Sequence, residues 1–94
     1  MKTVEVKILI YEGNKVIFEK KLDAINHGLD YAGILEEPIS VKIKENNVAR
    51  VEFETPRYTL NKAHEFFEEG GKVNIEPQMF ILRVATSGDK IEFG

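Results

Sequence analysis

The sequence contains no cysteine and no tryptophan. Without cysteine there is no disulfide framework, no thiolate metal site and no cysteine nucleophile. No apolar run approaches the roughly 20 residues needed to cross a bilayer, which argues against a membrane association of that kind. The first residues, MKTVEVKILIYEGN, hold a lysine and a short apolar stretch. They alternate like a strand and lack a small-residue cleavage site, so they read as mature protein, and a cytoplasmic location is expected. Walker-type and dinucleotide fingerprints are missing, so no cofactor is expected. Strong charge of one sign is missing too: 13 basic residues stand against 16 acidic ones, for a net charge of −3. Counterion release drives most nucleic-acid binding, and this mildly acidic balance argues against a nucleic-acid partner.

What remains is the composition of a globular domain. The chain has 94 residues, 43% of them hydrophobic, well above the apolar content of a disordered chain. A chain of this length buries about two-thirds of its unfolded surface, so residues 1–94 are expected to form a single domain around one core. The charge is carried mostly by Glu and Lys, an enrichment that points toward a thermophilic source. Internal repeats, low-complexity tracts and linkers are absent.

Hydrophobic periodicity supplies the elements. Val4, Val6, Ile8 and Ile10 alternate with Glu5, Lys7 and Leu9, which predicts a half-buried strand. A loop at Gly13 to Lys15 returns the chain so that Ile10 faces Phe18 and Val6 faces Leu22. A second hairpin is expected over Ile39 to Phe53, turning at Glu45-Asn46-Asn47 and pairing Ile43 with Ala49, Val41 with Val51 and Ile39 with Phe53. That register gathers the apolar side chains on one face. Thr59 to Glu69 reads as the main helix, with Thr59 as N-cap, Leu60, Ala63 and Phe67 on one stripe, and Gly70 as C-cap. A short strand over Lys72 to Ile75 ends before Pro77. A last hairpin around Ser87-Gly88 pairs Val84 with Ile91 and Leu82 with Phe93. The expected fold is α+β: an antiparallel sheet of about five or six strands built from hairpins, with one amphipathic helix on one face.

The link from Asp23 to Glu37 contains INHGLDYAG. Leu22, Ile25, Leu29 and Ala32 recur at helical spacing, so a short helical crossover is expected there, broken by Gly28 and Gly33. Its His27 and Asp30 have the types needed for a general base and its orienting acid, with Tyr31 or His64 as assistants. A His-x-x-Asp pair is a weak signal, and a solvent-touching histidine near a helix end is the plainer reading. His64 lies at the border of the helix stripe. Two histidines among scattered carboxylates fall short of a metal site, so none is expected. Gly70-Gly71 suits a helix end better than a phosphate cradle, which uses helix N-termini. Glu36-Glu37 and Glu68-Glu69 could pair as glycosidase carboxylates only across a cleft that so small a domain seldom has. Lys42, Lys44 and Arg50, with Arg57 and Tyr58 nearby, have the residue types of a single-strand-binding face, but the interleaved glutamates cancel their field.

The aromatic residues divide. Phe18, Phe53, Phe67, Phe80 and Phe93 fall on expected inner faces. Leu9, Tyr11, Ile17, Met79 and Ile81 fall on second faces, more apolar surface than one helix covers. They are the candidate interface residues, with a second copy or a partner protein as the occupant. The segment AGILEEPISVKIKENNVARVE, Ala32 to Glu52, resembles a strand-rich stretch of some metal-dependent aminopeptidases. It carries none of the metal ligands those enzymes use, so no activity is inferred from it.

Three functions follow as expectations. The first is a non-enzymatic interaction or self-associating domain that uses an apolar sheet face or edge strand. The second is a small-ligand module with a pocket between helix and sheet, near His27, Tyr31 and His64. The third is a small hydrolase or isomerase with His27 as general base.

Overall fold

The computed structural model describes residues 3–28, 30–44, 49–63, 68–69, 71–83 and 90–93. Ten strands occupy them: β1 (Thr3–Glu12), β2 (Lys15–His27), β3 (Asp30–Leu35), β4 (Ile39–Lys42), β5 (Ala49–Glu54), β6 (Thr59–Ala63), β7 (Glu68–Glu69), β8 (Lys72–Ile75), β9 (Gln78–Arg83) and β10 (Lys90–Phe93). No helix occurs among the described residues. The fold is therefore all-β, and the expected α+β class is wrong.

Seven strands form one antiparallel sheet in the order β10-β9-β3-β2-β1-β5-β6, and β4-β8-β7 form a second, small one. The large sheet curls until β10 approaches β6, giving a nearly closed barrel. Curling shields the edges of a sheet, which would otherwise expose a row of unpaired peptide groups. Val6, Ile8, Ile10, Val51, Phe53, Phe80 and Leu82 point inward. Ile39, Val73 and Ile75 of the small sheet join them in the same core.

The first hairpin keeps the expected facing, with Val6 opposite Leu22 and Ile10 opposite Phe18. Its extra residue lies in the strand and not in the loop. Ile10 pairs with Phe18 and Tyr11 with Val16, so Ile17 is bulged out of the ladder. The expected second hairpin does not form. β4 pairs with β8, while β5 pairs with β1 and β6. Alternation assigns the face of a strand and leaves its neighbour open. Val51 beside Ile10 and Phe53 beside Ile8 put four fully buried side chains together.

The main helix fails for a related reason. Thr59 to Ala63 form β6, which places Leu60 opposite Phe53. Glu68 and Glu69 form β7, and Gly71 lies in the turn to β8 instead of capping a helix. Thr55-Pro56-Arg57-Tyr58 is the turn between β5 and β6. The Thr55 hydroxyl accepts from the backbone N–H of Tyr58 at 2.9 Å and donates to the Tyr58 carbonyl at 2.6 Å. Proline at the second position of a turn is common, and here Pro56 opens a hairpin, not a helix. The rest of the expected helix, residues 64–67, and Gly70 lie outside the described residues.

The link from Asp23 to Glu37 is also strand. β2 runs on to His27, and β3 starts at Asp30. Gly28 has φ +69°, the left-handed region used by tight hairpin turns. Lys72 to Ile75 form a strand as expected. In the last hairpin Leu82 faces Ile91 and Phe80 faces Phe93, two residues from the expected register, which preserves the inner face. The sheets thus hold more strands than the five or six expected.

Contacts from two aromatic residues, Phe53 and Tyr58, join opposite walls of the barrel. Phe53 packs against Phe80 with ring centroids 5.6 Å apart, and against Phe93 at 6.1 Å. Tyr58 tilts against Tyr31 at 5.7 Å and donates its hydroxyl to the Leu82 carbonyl at 3.1 Å. Phe80 lies over Gly33, its partner on β3. A Cβ at position 33 would sit 2.5 Å from the Phe80 ring tip, so only glycine admits this packing.

Gly33→Ala should therefore destabilise the fold by about 1–3 kcal/mol through overpacking. Urea unfolding of G33A, F80L and the double variant checks it. Non-additivity is expected, because Phe80→Leu withdraws the ring that the new methyl strikes. Tyr58→Phe should cost about 0.5–1.5 kcal/mol by the same measurement, for the lost bond to Leu82.

Candidate functional site

The residues of INHGLDYAG are distributed by strand alternation. Asn26 faces Tyr31 and His27 faces Asp30 across the hairpin. Tyr31 points inward and is 1% exposed, so its ring belongs to the core. His27 is exposed and Asp30 half-buried on the outer face. Asp30 is engaged by Arg83, whose Nε lies 3.7 Å from Asp30 Oδ2. His27 and Asp30 thus stand opposite each other on neighbouring strands, Tyr31 turns to the opposite side of the sheet, and His64 lies outside the described residues. The pocket expected between helix and sheet has no helix to form it among the described residues.

The five candidate interface residues separate as well. Leu9 is buried, at 6% exposure. Tyr11 is half-buried under Arg50, whose guanidinium carbon stands 4.1 Å from the ring centre. Ile17, the bulged residue, packs against the core. Met79 and Ile81 remain on the outer face, Met79 at 54% exposure.

The outer face of β2, β3 and β9 collects more apolar surface around these two. Ile25 lies opposite Ala32, Ala32 opposite Ile81, and Ile34 opposite Met79. Ile34 is 57% exposed, the most of any large hydrophobic residue among the described ones. The helical spacing of Leu22, Ile25, Leu29 and Ala32 hides its position. Reading Asp30 to Leu35 with period two would have put Ala32 and Ile34 together on the outer side.

Charged residues frame the strip. His27, Asp30, Arg83 and Lys90 form a row across four strands at one end. Glu92, opposite Ile81, also lies 3.7 Å from an Arg83 nitrogen, Nη2. On the side of β2, pairing with β3 stops at Ala24 and Gly33, and the two strands part. The gap is a groove of about 570 Å³ lined in part by Lys20, Asp23, Ile25, Ile34, Glu37 and Met79. A Lys20–Glu37 ion pair of 3.9 Å spans it. Among the described residues no group of three or more His, Asp or Glu is placed to hold a metal ion. No helix among them is long and apolar enough to cross a membrane.

Comparison with known proteins finds no matching family model, no matching curated protein and no matching solved structure. The geometry alone carries the functional reading. On this face an apolar strip is bordered by charged side chains.

His27→Ala should leave stability within about 0.5 kcal/mol of the parent, as expected for an exposed side chain at a turn. Thermal and urea unfolding check it.

Proposed function

We propose that the chain is a non-enzymatic interaction domain whose binding surface is the outer face of β2, β3 and β9. The single observation that supports it is the placement of Ile34 and Met79 as cross-strand neighbours, each more than half exposed. Ile25, Ala32 and Ile81 make the strip continuous. Exposed apolar clusters of this kind are costly to leave in water, and on soluble domains they mark surfaces that another molecule covers.

A second reading takes the groove between β2 and β3 as a small-ligand site. Its volume, about 570 Å³, lies within the roughly 300–1,000 Å³ of known ligand pockets.

The double variant Ile34→Lys with Met79→Lys tests the first reading. Both positions are exposed, so folding should survive, as circular dichroism would show. Self-association, read by light scattering, and capture of other proteins, read quantitatively against the parent, should both be measured. Loss of whichever association the parent shows is expected. Undiminished association would refute the assignment to this face.

A further inference from the structure

We propose that the occupant of this face is a second copy of the chain, related by a two-fold axis parallel to the strands and running between β3 and β9. This rests on the reading of the face as an interaction surface and goes beyond it by naming the partner and the symmetry. A two-fold interface is isologous, so the surface must complement itself. Among the described residues β3 and β9, the two strands beside the axis, meet that condition in one orientation. Further out, the same axis sets Ile25 near Glu92 and His27 near Lys90 of the second copy.

The registers supply the argument. Across β3 and β9, Asp30 stands beside Arg83, Ala32 beside Ile81, and Ile34 beside Met79. An axis between these strands lays β3 of one copy over β9 of the other. Asp30 then meets Arg83 of the second copy, and Arg83 meets its Asp30. Ala32 meets Ile81 and Ile34 meets Met79, so apolar surface covers apolar surface and both charge contacts are attractive. Rotation about the other in-plane axis, across the strands, fails the same test. It turns Asp30 toward Glu36 and Arg83 toward Pro77, leaving one contact repulsive and the other without charge.

The state of Arg83 adds a second, separate argument. Its side chain is 38% exposed on this face. The carboxylates of Asp30 and Glu92 each lie 3.7 Å from one of its nitrogens, in ion-pair range but beyond hydrogen-bond length. A guanidinium has five N–H donors, and these contacts leave room for a closer acceptor. The second copy's Asp30 is such an acceptor. Stacked sheets of this kind pack with their strands nearly aligned, at about 30°, which suits an axis parallel to the strands.

Light scattering on the full chain over a concentration series tests the proposal. The parent is expected to run at twice the monomer mass. Asp30→Arg and Arg83→Asp, each alone, set like charges against each other across the axis and should weaken the dimer about tenfold or more. Mixing D30R chains with R83D chains should restore a dimer made of one chain of each kind, because both contacts between positions 30 and 83 across the axis are again attractive. The double variant D30R/R83D keeps opposite charges within and between copies, so it should dimerise, which guards against reading a folding defect as lost association. A contribution within one chain could not produce dimers on mixing, so failure of the mixed pair overturns the proposal. A parent that stays monomeric also overturns it. If that monomer still loses capture of another protein through Ile34→Lys and Met79→Lys, only the choice of occupant falls. If those changes affect no association at all, the interaction reading falls with it.

Discussion

The ring of Phe80 occupies the space that Gly33 leaves empty, and the rest of the molecule depends on that contact. It holds β3 and β9 in one register, because any other residue at position 33 would push the ring away. With the ring seated there, Phe80 reaches Phe53 across the barrel, and Phe53 reaches Phe93 on the last strand. β5 is thus tied through three rings to β9 and β10, a neighbouring pair of strands distant from it in the sheet order. Aromatic pairs at these separations favour tilted geometry over face-to-face stacking, and the observed tilts of 55° and 64° follow that preference.

The same register decides the outer surface. If Phe80 lies opposite Gly33 on the inside, then Met79 must lie opposite Ile34 on the outside, and Arg83 opposite Asp30. Strand alternation couples the two faces rigidly, since a slip of one residue would exchange them. The apolar strip and its charged row are therefore consequences of how the core packs. The strip lies on three strands inside the sheet, each held by neighbours on both sides, and not on a loop. A surface on such rigid elements loses little conformational freedom when it is covered.

Tyr58 makes a parallel connection at the hairpin turn between β5 and β6. Thr55 holds that turn through its hydroxyl, and Tyr58 extends from it to the Leu82 carbonyl and the Tyr31 ring. Tyr31 is thereby a core residue, although its neighbours His27 and Asp30 face water. In INHGLDYAG the three polar side chains of catalytic type are divided between the two faces of one hairpin. Residues adjacent in sequence are placed apart, while Asp30 and Arg83, far apart in sequence, form a pair.

Some of this could be read from the residues alone. The alternation in Val4 to Ile10 fixed a strand and its inner face, the return through Val16-Ile17-Phe18 followed, and Lys72 to Ile75 was bounded by Pro77. Met79 and Ile81 stood out as apolar residues on a second face. Those features are local, with period two and turn residues as their signals. The neighbours of β4 and β5 were not local. Alternation is the same whether Val51 faces Val41 or Ile10, and only burial against the long first strand chooses between them. Leu60 and Ala63 also fit a helical stripe, and Leu22, Ile25 and Ala32 fit another. Pairing with strands already in place overrode those weak intrinsic preferences. Ile34 therefore entered the candidate surface only with the tertiary structure, because its partner Met79 lies 45 residues further along the chain. The sequence by itself determined which side of each strand is greasy. The closed sheet decided which strands stand side by side, since that choice depends on the apolar surface each pairing removes from water.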